Sequence, residues 1–113
     1  MSDSIPSINT DLPEEDLRIR LNRETSKIGW DELQKFYAKG MVIHVGQGVD
    51  LIDVAITVSE DNKEAVEQWM ADGTLSQVTD EQALSWHEQD IIHWAVVIAP
   101  WVLVQQVKEE TAH

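Results

Sequence analysis

One segment constrains this chain more than any other: the unbroken apolar run Trp94 to Val104, WAVVIAPWVLV. As a helix it would be about 16 Å long at ~1.5 Å per residue, roughly half of the ~30 Å hydrocarbon core of a bilayer, so it is not a membrane span. As one straight strand it would reach about 36 Å at ~3.3 Å per residue, nearly twice a typical strand. Pro100 would then sit in the middle of a ladder with no N–H to donate. The run is therefore read as two β segments, or one sharply bent strand, broken at Ala99-Pro100.

A chain of 113 residues has room for one domain with one core. Residues 1-12 are polar and lack periodicity, which reads as a loose arm. The globular unit is expected over residues 13-107, followed by a short tail, 108-113. There is no cysteine, which excludes disulfides, thiolate metal sites and cysteine nucleophiles together and suits a reducing compartment. The N-terminal segment has neither a basic stretch nor an apolar one, so no secretory signal is read and a cytoplasmic location is expected.

The net charge of -13 is unevenly spread. Residues 17-40 carry six bases against three acids, whereas residues 41-107 carry one base against eleven acids. Solvated acidic helix faces account for much of this. A sharper expectation is that the segment bearing Arg18, Arg20, Arg23 and Lys27 docks on an acidic face, in the same chain or in a partner subunit. Ordinary nucleic-acid binding is disfavoured, because phosphate contacts need a basic surface that the body lacks.

Helical spacing of Leu17, Leu21 and Ile28 after Pro13-Glu14-Glu15-Asp16 predicts a first helix, with a second from Trp30 to Lys39 closed by Gly40. These two are expected to form a short helical hairpin. Met41 to Val45 reads as a strand. Leu51 to Val58 is rich in β-branched residues, yet its apolar positions fit i, i+3, i+4, i+7 behind Asp50 as N-cap, and it is read as a helix. Asp61 with Glu64 has the spacing of a capping box for a helix ending at Gly73. A short strand is read at Leu75 to Val78, and Thr79 with Gln82 opens the last helix, to about Glu88. The fold class is α+β, a small and mostly antiparallel sheet covered by helices. A mostly helical bundle with one β-hairpin is the alternative.

Candidate chemistry centres on the turn Gly46-Gln47-Gly48-Val49-Asp50, which follows a strand and opens a helix, a context in which backbone N–H groups can cradle an anion. It lacks the third glycine of GxGxxG and the Lys-Ser/Thr of a P-loop, and Asp50 would repel phosphate. A plain tight turn explains it as well. His44, Gly46, Gly48, Asp50, Asp53 and His93 are the candidate ligand-site residues, a mouth for a small molecule or metal ion. None of the histidines has the HxxxH or HExxH spacing that puts two ligands on one face, and core or strand-edge histidines with satisfied hydrogen bonds are the plainer reading. No catalytic residue and no cofactor is assigned.

Five tryptophans against one phenylalanine and one tyrosine is an excess. Most are expected in the core, Trp101 included. A domain of this size struggles to cover all five, so Trp30, Trp69 and Trp101 are also interface candidates, and a symmetric homodimer on a strand edge or helix face is the simplest assembly.

Trp30-Asp-Glu-Leu33, the Ala38-Lys-Gly40 turn, Asp50-Leu-Ile-Asp-Val-Ala55, Trp69 and the closing WAVVIAPWVLVQ occur here in one order. With them the chain resembles, over roughly residues 17-106, a family of small proteobacterial and cyanobacterial proteins catalogued only as a domain of unknown function. The resemblance implies a shared fold and a bacterial cytoplasmic protein of unassigned role; it carries over no catalytic or binding residue. The functional expectation is a non-enzymatic, acidic interaction or regulatory module, homodimeric and with a protein partner. A small-molecule or metal-ion binding protein, or an enzyme, with a site near Gly46 to Asp50 is the alternative.

Overall fold

Residues 14-108 are described by a computed structural model of the protein. The arm, the Pro13 helix opening and residues 109-113 lie outside the described residues. The apolar run forms two strands, β4 (His93–Ile98) and β5 (Trp101–Gln106), paired antiparallel from Ile98↔Trp101 to His93↔Gln106. Only Ala99 and Pro100 separate them, and their peptide bond is cis.

Upstream of β4 the described elements are α1 (Glu14–Glu24), β1 (Ser26–Ile28), α2 (Trp30–Ala38), β2 (Val42–Val45), α3 (Leu51–Ser59), α4 (Lys63–Asp72), β3 (Leu75–Gln77) and α5 (Asp80–Gln89). The strands make one sheet in the order β1-β4-β5-β2-β3, parallel only between β2 and β5. The chain is thus α+β with a mostly antiparallel sheet.

Strand periodicity divides the core in two. Ile43, Val45, Val96 and Leu103 point to one face, where Leu21 of α1 and Leu51, Val54 and Ala55 of α3 cover them, with Val66 and Trp69 of α4 alongside. Val42, Ala95, Val102 and Val104 point to the other, under Leu33 of α2 and Trp86 of α5. The expected helical hairpin is corrected here. A three-residue strand intervenes between α1 and α2, and the two helices bury their apolar residues on opposite faces. Helix α1 ends at Thr25, whose N–H and hydroxyl both donate to the Leu21 carbonyl. Ile28, read as a helical position, is a β1 residue paired with His93 and packed on the second face. Through β1 the chain passes from one side of the sheet to the other.

The ambiguous stretch after Asp50 is helix, and the Asp50 carboxylate accepts from the N–H groups of Ile52 (2.8 Å) and Asp53 (3.4 Å). Thr79 and Gln82 form the reciprocal capping box, Gly73 takes the left-handed position after α4, and Gly40 the one after α2. Asp61 does not cap α4. It has a left-handed backbone, with its N–H bonded to the Val58 carbonyl and the N–H of Asn62 bonded to that of Thr57, the paired bonds of a Schellman ending to α3. The cap of α4 falls to Asn62, which accepts from Ala65.

The expected docking of the basic segment is partly met within the chain. Arg18 pairs with Asp53 across α1 and α3, whereas Arg20 pairs with Glu24 of its own helix, which is not docking. Trp101 overturns its expected core position: it is 37% exposed, whereas Leu103 two residues on is 1% exposed. Leu103→Ala should cost roughly 2–5 kcal/mol in urea denaturation, the range for a truncated buried leucine. Trp101→Ala should cost less than about 2 kcal/mol, since partly exposed positions lose little packing.

Candidate functional site

The alternation that builds β2 also sorts the candidate residues. His44 shares the second face with Val42, and His93 opens β4 on that same face. The two rings meet edge to face with centroids 6.5 Å apart, and Trp86 from α5 packs on both, 4.1 Å from His93 and 5.5 Å from His44. Sequence reasoning placed Trp86 in a helix but not between the histidines. Which helical residue crosses a given strand position depends on helix packing, and no spacing within α5 encodes it.

His44 is half-buried, and His93 is fully buried, at 0% exposure. Neither ring nitrogen of His93 makes a well-formed hydrogen bond among the described residues, the Ile91 backbone being its one polar neighbour with a favourable effect on the charged ring. The expected satisfied core histidine is therefore half right: His93 is core, and unsatisfied. Burial lowers the His44 imidazole below its ordinary value. Burial, and then the neighbouring His44, push His93 down to about 4. Both rings are neutral near pH 7, the form that ligates metals. Among the described residues, however, no group of three or more His, Asp or Glu side chains is placed to hold a metal ion.

The remaining candidates lie elsewhere. Helix α3 packs on the first face, so the sheet separates Asp50 and Asp53 from the two histidines. Asp53 faces Arg18, and Asp50 caps its helix. The Gly46 N–H donates to the Thr74 carbonyl at 2.8 Å, and a Cβ at Gly46 would meet that same oxygen at 3.4 Å. Gln105 of β5 donates to the carbonyls of Gly46 (2.7 Å) and Val49 (2.8 Å), stitching the turn to the sheet, and Gly48 is exposed beside it. The single mouth expected from sequence is thus two places on opposite faces. On the α3 side, Asn22, Thr25, Asp50, Leu51, Ile52, Trp94 and Gln105 line a cleft of about 400 Å³. Asn22, Trp94 and Gln105 had no signal in the sequence as a site, because strand pairing aligns Trp94 with Gln105 and only the packing of α1 brings Asn22 over them.

Of the interface candidates, Trp30 is half-buried against Tyr37 and His87, and Trp69 is half-buried against the first core cluster. Trp101 remains exposed, as does Trp94 at 36%.

The histidine pair makes stability depend on pH with a definite sign. A folded-state value below the unfolded ~6.5 means that the unfolded chain binds more protons, so this contribution is complete above about pH 6.5 and is lost as pH falls toward 4. For His93 alone the loss is on the order of 3 kcal/mol. Denaturation midpoints measured from pH 7.5 to 4.5 should fall steeply for the native chain, and His93→Leu should flatten that dependence.

The fold and sequence have a solved relative. The NMR solution structure of PA1075 from Pseudomonas aeruginosa is similar with a TM-score of 0.73 and 37% identity, covering 96% of this chain and 99% of that one. No curated protein matches. No helix among the described residues is long and apolar enough to cross a membrane. Residues 16–106 match the family described as protein of unknown function (DUF2288), and the chain belongs to that family.

Proposed function

We propose that this protein is a non-enzymatic, cytoplasmic interaction module that acts as a homodimer and offers its acidic surface to a protein partner. The observation that carries this reading is the outer edge of β4. The Ile92 carbonyl accepts from Val107 at 3.1 Å, so alternation turns the backbone groups of residues 92, 94, 96 and 98 toward β5 and those of 93, 95 and 97 toward β1. Strand β1 covers His93 and Ala95 and stops, leaving the N–H and C=O of Val97 without a strand partner among the described residues.

Val97 is also the most exposed large apolar residue described, at 59%. Open apolar edges are templates for strand addition, and natural sheets protect those that are not interfaces with charge, proline or a bulge. Here the edge carries none of these. An antiparallel pairing of Val97 with Val97 of a second copy satisfies both edges by one symmetric contact and continues the sheet across the subunits. At the same end lies a cleft of about 450 Å³ whose apolar wall, Val58, Val66, Ile98, Pro100 and Trp101, would extend such an interface, with Asp61, Lys63 and Glu67 as its charged rim. The body's excess of eleven acids over one base then faces outward on both subunits, a surface that steers basic protein partners and repels nucleic acid.

Native mass spectrometry of the untagged protein should show a dimer at about 10 µM, an affinity range reached by modest interfaces. Val97→Lys should give a folded monomer. Val97→Pro should do the same, because it removes an N–H that no strand among the described residues uses. A monomeric native chain, or a dimer that survives both substitutions, would overturn the reading.

A further inference from the structure

The cleft between the end of α1 and the start of α3 has an unusual balance of free polar atoms. Its floor belongs to a cross-strand row, Lys27–Trp94–Gln105, in which Trp94 pairs with Lys27 on one side and Gln105 on the other. Asn22 and Thr25 come from the end of α1, and Asp50 from the cap of α3. Both hydrogens of the Gln105 amide are spent on the Gly46 and Val49 carbonyls. Asn22 Nδ2 donates to the Arg18 carbonyl at 3.1 Å, and the Thr25 hydroxyl donates to that of Leu21 at 2.7 Å. One oxygen of Asp50 takes the helix N–H groups.

These bonds fix the orientation of both amides, because only nitrogen can donate to a carbonyl. They leave Gln105 Oε1, Asn22 Oδ1, Asp50 Oδ2 and the Thr25 hydroxyl lone pairs, a set of acceptors beside an indole that is 36% exposed. One face of the problem is already solved in the chain: the Lys27 ammonium sits 5.2 Å from the Trp94 ring centroid, so this indole accepts a cation. The carbonyl end of α1 adds partial negative charge on its side, and the Asp50 carboxylate offsets the positive end of α3 on the other.

From this geometry we infer that the cleft is a binding site for the primary ammonium group of a small organic cation. An ammonium brings three donors and no acceptor, which complements a surface where Gln105 and Thr25 have used all their side-chain donors and Asn22 one of its two. The indole supplies an apolar wall for the attached carbon chain, and about 400 Å³ is ample for a short alkylamine. An anion would meet acceptors and a carboxylate, and a neutral acceptor such as a ketone would find few donors. The site stands apart from the β4 edge and does not depend on self-association.

The test is an NMR titration of the full chain with n-butylammonium, using tetramethylammonium as a cation that has no N–H donors. n-Butylammonium should shift the Trp94 indole, the Asn22 and Gln105 side-chain amides and the Leu51 and Ile52 backbone resonances, with a Kd at or below about 10 mM. Tetramethylammonium should bind at least tenfold more weakly. Asp50→Asn keeps a good capping oxygen and removes the charge. It should weaken n-butylammonium at least tenfold while leaving the unfolding midpoint close to native. Lys27→Ala removes a like charge beside the indole and should tighten binding severalfold. Equal shifts from the two cations, shifts scattered over the acidic surface, or none at about 10 mM would overturn the inference.

Discussion

Everything in this structure depends on the parallel contact between β2 and β5 at the centre of the sheet. Val102, Leu103 and Val104 are consecutive and at most 3% exposed, and Val42, Ile43 and His44 face them across the ladder. Consecutive residues of a strand point to opposite faces, so burying all three requires cover on both sides. A parallel pair also cannot be closed by a tight turn; the chain must leave and return. The excursion from β2 to β5 contains α3 and α4 on one face, α5 on the other, and β3 and β4 as antiparallel neighbours. The helices are thus consequences of one doubly buried strand pair.

That same requirement explains what the sequence could and could not disclose. The break at Ala99-Pro100, the Asp50 cap, the Thr79–Gln82 box and the glycines closing α2 and α4 are local, set by backbone chemistry within a few residues, and all were readable. Asp61 misled because two neighbouring residues could cap and the ending of α3 claimed the first. Strand β1 had no readable pattern, because Ser26-Lys27-Ile28 gains its strand conformation only from β4. The opposite-face placement of α1 and α2 follows from β1 and was hidden with it.

The candidate site was legible as a list of residues and illegible as a place. His44 and His93 lie 49 positions apart and meet because β4 and β2 flank β5 with their histidines on one face. Asp50 and Asp53 follow His44 closely in sequence, yet a tight turn carries α3 over the other face. Proximity along the chain therefore misassigned them, while a strand-by-strand parity argument would have separated them. The tryptophans show the same limit. Trp86 is buried and Trp101 is not, although Trp101 stands within the more apolar segment. Residues near a hairpin tip run out of helix to pack under, whatever their hydrophobicity.

The same tapering of cover places the open surfaces. Strand β1, at three residues, is too short to shield the six-residue β4 over its whole length. Short edge strands protect a sheet against unwanted pairing only where they end flush with their neighbours. Strand β1 ends early along β4, and the stretch it leaves bare contains Val97, with Ile98, Pro100 and Trp101 just beyond. At the other end of β4, β1 does extend, and there Lys27 lies over Trp94 and the ends of α1 and α3 close above it into the acceptor-lined cleft. The length of one minor strand thus separates an apolar end, at Val97 and Trp101, from a polar cleft over Trp94.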